Sequence, residues 1–138
     1  MRQISEKHYM DLLRLPFKSG GRGPESYDCL GVARLVYARA HSFDVDELPD
    51  PGLDLPSEPS NPWRLNHHQL GKLRAGDFIL GENAGGNLHV WLALSPSYVI
   101  TATGPRGVAV FSSSALRRMA GTGFFRPIGV YTLEMQPA

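Results

Sequence analysis

Gly20-Gly21-Arg22-Gly23-Pro24-Glu25-Ser26-Tyr27-Asp28-Cys29-Leu30-Gly31-Val32-Ala33-Arg34-Leu35-Val36-Tyr37 joins a glycine-rich turn to the strongest helical pattern in the chain. Leu30, Ala33, Val36, Tyr37 and Ala40 recur at steps of three and four, which predicts a helix over 28–40 with one buried face. Asp28 is a good N-cap. Gly31 weakens the first turn, yet a residue that small lets another segment approach closely. The glycines before the helix invite a phosphate-loop reading. No Gly-Lys-Ser/Thr follows them, so that reading is set aside.

Cys29 is the only cysteine and stands directly after the cap. At the first helical position, free backbone N–H groups and the positive end of the helix dipole favour a thiolate. The same N–H groups suit a developing oxyanion. The other reading of the position is a small buried apolar residue. A thiol nucleophile needs a base, most often histidine. The candidates are His8, His41, His67, His68 and His89. His8 and His41 occupy helical positions with no partner pattern. His67 and His68 are adjacent in a polar stretch, so their side chains diverge and make a poor metal pair. His89 follows the Gly85-Gly86-Asn87 turn and opens a strand. Val90, Leu92 and Leu94 share one face of it, His89 and Trp91 the other. It is either a base facing a cleft or a satisfied sheet histidine.

Around this pair the chain reads as α+β. Residues 5–15 carry an apolar stripe and predict a short N-terminal helix with Ser5 as cap, ended by Pro16. Residues 41–62 hold five prolines and six acidic side chains with no Lys or Arg. They predict an extended surface loop, either a solvated face or a contact for a basic partner. Short β-rich runs follow at Asp77–Leu80, Leu88–Leu94, Tyr98–Thr101, Gly107–Phe111 and Pro127–Leu133, with a serine-capped helix at Ser113–Met119. Their tight turns suggest an antiparallel meander. The expectation is one domain over 1–138, N-terminal helices packed on an antiparallel sheet of about five to six strands.

Composition narrows the function classes. The 138 residues are 42% hydrophobic and 20% charged, with 14 basic and 13 acidic side chains. So even a balance gives no general drive toward nucleic acid or an anionic membrane. One cysteine excludes an internal disulfide framework and a multi-cysteine zinc site. Neither a metal-ligand set nor a cofactor motif is present, so no cofactor is expected. No run approaches a membrane-spanning length, and residues 1–8 lack the apolar core of a secretory signal. Cytoplasmic synthesis without membrane insertion is the expectation.

The stretch 20–37 resembles the nucleophile segment of the NlpC family of cell-wall cysteine peptidases, which have a papain-like fold. That family pairs an Asp-Cys helix start with a later Gly-Asp strand and a His-Val-type strand. Here Gly76-Asp77-Phe78-Ile79 and His89-Val90-Trp91-Leu92 take those places. The resemblance covers residues 10–111. It implies Cys29 as nucleophile and His89 as general base. The family's third catalytic position lies twelve residues after the base and is usually histidine; here it is Thr101, either an orienting hydroxyl or a β-branched strand residue. Leu30 replaces the usual serine, and Trp91 stands where a small residue is common. Tyr27, Asp28 and Trp91 are the expected cleft residues, Tyr27 either lining it or packing.

The resemblance implies a peptidase that hydrolyses peptide stems of bacterial peptidoglycan. The Gly-Gly-Arg-Gly-Pro lead-in resembles the branch encoded by tailed bacteriophages. That implies a tail-tip component carried in the virion, with stem peptides and other tail-tip proteins as partners. The alternatives are a weak or inactive tail-tip or assembly subunit, docked through 41–62, and a cytoplasmic thiol amidase or acyltransferase of the same superfold.

Overall fold

The computed structural model describes residues 4–48, 63–66 and 70–133, the backbone alone for 63–66. The order is α1 (Cys29–His41), β1 (Trp63–Asn66), β2 (Phe78–Asn83), β3 (Leu88–Ala93), β4 (Tyr98–Thr103), β5 (Gly107–Ser112), α2 (Ser113–Thr122) and β6 (Phe125–Leu133). The fold is α+β, with both helices packed on one six-stranded antiparallel sheet of order β1-β6-β2-β3-β4-β5.

β2 to β5 form the expected meander. The last strand departs from it. α2 carries the chain back from the β5 edge, and β6 inserts between β1 and β2. β1 was not legible in the sequence. Trp-Arg-Leu-Asn alternates, but four residues are too short a run to signal a strand, and pairing with β6 makes them one.

The sheet is buried on both faces. Leu30, Val32, Ala33, Val36 and Tyr37 of α1 pack on Phe78, Leu80, Val90, Leu92 and Ile100. On the opposite face Leu116 of α2 packs with Ile79, Trp91, Ala93, Val99, Phe125 and Val130. Alternation along β3 therefore separates two cores, where the sequence alone pointed to one. Gly76 and Asp77 extend the β2–β3 ladder through Gly76 N to Ala93 O and Ala93 N to Asp77 O, both 2.8 Å.

The expected N-terminal helix is absent. Residues 6–8 and 10–12 form two 3₁₀ turns instead. Eleven residues are too few to hold a helix unaided, and the sheet edge takes their continuation. Arg14 N donates to Val108 O, and Val108 N to Leu15 O, each at 2.9 Å. Arg14 turns left-handed to do so, with φ 73°. Gly107 permits this approach, since a Cβ there would lie 2.2 Å from Leu15 O. Arg39 anchors the segment from α1 with two bonds to Asp11, at 2.8 and 3.3 Å.

The expected surface loop also departs from its forecast at its start. Residues 45–47 form a 3₁₀ turn capped by Asp44, and Leu48 is buried. The buried Arg34 of α1 donates to Val45 O and Leu48 O, at 3.1 and 2.8 Å. Residues 49–62, like His67 and His68, lie outside the described residues.

Candidate active site

α1 begins where it was expected to. The Asp28 carboxylate accepts from Gly31 N at 2.6 Å and pairs with Arg22 through its other oxygen. The glycine-rich turn lies against this cap, Asp28 N donating to Gly21 O at 3.0 Å. Gly31 makes the approach possible, because a Cβ there would stand 2.5 Å from Gly21 O. The close-approach reading of Gly31 thus describes how the turn ahead of Cys29 is built.

Cys29 is 5% exposed and its sulfur is in no disulfide. Burial pushes its thiol above the ordinary range, and the neighbouring Asp28 carboxylate adds to the rise. The backbone N–H groups of Val90, Leu30 and Cys29 itself oppose this without overcoming it. Desolvation thus works against the thiolate that the helix tip favours.

His89 stands at the start of β3. Its Nε2 lies 2.7 Å from Thr101 Oγ1 on β4. Thr101 is fully buried and its hydroxyl also donates to Val90 O at 2.7 Å. β3 and β4 pair only at Leu92–Ile100 and Ala93–Val99. Beyond those pairs the Val90 carbonyl meets the Thr101 hydroxyl and its N–H meets the sulfur. Burial pushes the His89 imidazole down to about 4, so it is neutral at physiological pH.

Cys29, Asp28, His89 and Trp91 line one cleft of about 950 Å³. Within it no hydrogen bond joins Cys29 directly to His89 among the described residues. Tyr27 is not on this wall; it is buried with the α1 core. His8 and His41 also lie elsewhere. His8 accepts from Ser5 N, and His41 stacks on Tyr37 at 4.0 Å. The sequence reading also missed further residues of the wall, among them Phe17, Arg106, Phe111, Phe124 and Phe125. These come from four separate segments, and no spacing links them. Phe124 is 65% exposed at the rim, and the Arg106 guanidinium sits 5.5 Å over the Phe111 ring. No group of three potential metal-ligating side chains occurs among the described residues.

No family profile matches the chain. Over 90 residues, 65% of its length, it is 29% identical to Protein P54 of Enterococcus faecium, of which it spans 16%. Among solved structures it resembles the NlpC/p60 domain of the peptidoglycan hydrolase SagA, with a TM-score of 0.57 at 22% identity and 94% of both chains covered. It also resembles a Staphylococcus aureus protein described as similar to lipoprotein of the NLP/P60 family. There the TM-score is 0.61 at 23% identity, covering 97% of this chain and 41% of that one. NlpC1 of Trichomonas vaginalis gives 0.60 at 16% identity, covering 98% and 48%. With a capped cysteine helix on one face of the sheet and the histidine strand beside it, the chain has the NlpC/p60 papain-like fold.

Proposed function

We propose that the protein is a cysteine peptidase that hydrolyses the peptide stems of bacterial peptidoglycan. The observation that carries this reading is the His89–Thr101 hydrogen bond in a cleft that also holds Cys29. Cys29 is the nucleophile, His89 the general base, and Thr101 a positioning residue. The likeness to the SagA domain, a peptidoglycan hydrolase, supports the substrate class.

The chemistry starts from a neutral pair. As sulfur attacks the scissile carbonyl carbon, the thiol proton passes to the free imidazole nitrogen. The amide C–N bond then breaks, and the imidazolium returns that proton to the departing amine. Water, deprotonated by the same imidazole, attacks the thioester and releases the acid and the thiol. Backbone N–H groups at the tip of α1 suit the oxyanion of both tetrahedral intermediates. The test is release of stem-peptide fragments from purified peptidoglycan. Wild type should release them and Cys29→Ala should not; no release by wild type, alone or in its native assembly, removes the reading.

A second reading is a binding or assembly subunit with a weak site. The raised thiol, the depressed imidazole and the uncharged Thr101 favour it. The finer placement, in a phage tail tip that opens the wall locally, rests on the Gly-Gly-Arg-Gly-Pro lead-in at 20–24. In that setting the acidic loop 41–62 is a docking surface for other tail proteins, through its part 49–62. Its deletion should block incorporation into particles while the domain still folds; normal incorporation excludes the docking role.

A further inference from the structure

Arg106 stands in the turn between β4 and β5 and lines the cleft that holds Cys29 and His89. The residue is exposed. Its guanidinium rests 5.5 Å over the ring of Phe111, which belongs to the same wall. Among the described residues no carboxylate pairs with it. The other charges of the cleft are settled: Asp28 is paired with Arg22, and His89 is neutral. The wall therefore presents one positive charge with no countercharge among the described residues.

The turn that carries this charge is pinned. Arg106 N donates to Thr103 Oγ1 at 3.2 Å. The adjacent Gly107 lies against Leu15 O, the acceptor of Val108 N at 2.9 Å. The rings of His89, Trp91 and Phe111 follow one another at 5.0 and 5.4 Å, and the guanidinium ends the row. An extended peptide covers about 3.3–3.6 Å per residue, so about four or five residues reach from the base to Arg106.

We infer that Arg106 is a specificity-determining residue that binds a carboxylate of the substrate peptide at the rim of the cleft. This deepens the peptidase reading and rests on it for the class of ligand. A guanidinium is planar and can only donate. With Phe111 against its face, its N–H edge stays free for a bidentate carboxylate. The ring contact also holds the plane, so less freedom is lost on binding. A carboxamide offers one oxygen and no charge, so the site separates acid from amide. A stem peptide with γ-linked D-glutamate carries two such acids, the α-carboxylate of that residue and the C-terminus.

The test uses the full chain with Cys29→Ala, so that binding is read without turnover. L-Ala-γ-D-Glu-L-Lys-D-Ala is titrated calorimetrically against the same peptide amidated at the D-glutamate α-carboxylate, at the C-terminus, or at both. The free acid should bind about five- to thirtyfold more tightly than the doubly amidated peptide, as expected for a charge-assisted pair open to solvent. The two singly amidated peptides identify which carboxylate is held. Arg106→Gln should abolish the preference and leave affinity for the doubly amidated peptide within about twofold. Equal binding of acid and amide overturns the inference, as does a preference that survives Arg106→Gln or absence of binding at millimolar peptide. Cleavage by wild type without an acid preference removes the inference and keeps the peptidase reading. An Arg106-dependent preference without cleavage by wild type does the reverse.

Discussion

Thr101 accepts the Nε2 proton of His89 at 2.7 Å while its own proton goes to the Val90 carbonyl, also 2.7 Å away. A carbonyl cannot donate, so the hydroxyl must be the donor in that contact. The imidazole is then the donor in the other. This fixes the tautomer with Nδ1 unprotonated, which is the form a general base requires. Under the proposed peptidase reading, a neutral threonine does the orienting part of a third catalytic residue, without the charge that would stabilise imidazolium.

Thr101→Val keeps the shape and removes both bonds. It leaves Val90 O and His89 Nε2 without their partner in a buried setting, at a cost of about 1–3 kcal/mol in stability. Cleavage should slow by no more than the roughly 10²–10⁴-fold that a positioned acid–base group supplies. Thr101→Ser restores the hydroxyl and should recover most of both. Urea unfolding and peptidoglycan turnover on the same three proteins check this; unchanged turnover in Thr101→Val would remove the positioning role.

The acid limb of kcat/KM should fall near pH 4, where the buried His89 protonates, and not near the ordinary value of about 6.5. Above that limb the base is neutral and competent. Stability follows the same group. Between about 4 and 6.5 the unfolded chain binds a proton that the folded chain refuses. Stability is therefore full above about 6.5 and is lost as pH falls, by at most about 1.4 kcal/mol per pH unit from this one site. Unfolding at pH 7 and pH 5, with His89→Gln as the flattened control, measures it.

Cys29 should react with iodoacetamide at neutral pH more slowly than a free thiol, and its rate should climb with pH beyond the usual thiol range. Burial holds the thiol protonated and Asp28 reinforces it. Asp28→Asn keeps an oxygen for the Gly31 N–H and deletes the charge, so alkylation should accelerate. Mass spectrometry of timed samples across pH reads both effects; a rate above that of a free thiol at pH 7 would mean a resting thiolate.

Gly31→Ala puts a methyl group 2.5 Å from Gly21 O. The glycine-rich turn must retreat, which costs about 1–3 kcal/mol and disturbs the Asp28 cap. Cleavage should fall along with stability. A Gly31→Ala protein of wild-type melting temperature would mean that the turn moves freely.

The helix carrying Cys29 and the cores of five strands were legible because each is a local pattern. A cap, a three-to-four step and period-two alternation act over neighbouring residues, and burial rewards them directly. The pairing of His89 with Thr101 was reached through the resemblance and the twelve-residue interval, not through any property of a lone threonine. Other features were set only by tertiary contact. Residues 5–15 lost their helix because Val108 offers Arg14 and Leu15 a sheet edge. β1 exists through β6, and the aromatic wall of Phe17, Phe111, Phe124 and Phe125 gathers from segments far apart in sequence. The protonation states belong to the same class. At the helix tip the sequence places a dipole that favours thiolate, but the depth of burial, which only the folded chain creates, reverses that preference in Cys29 and strips the proton from His89.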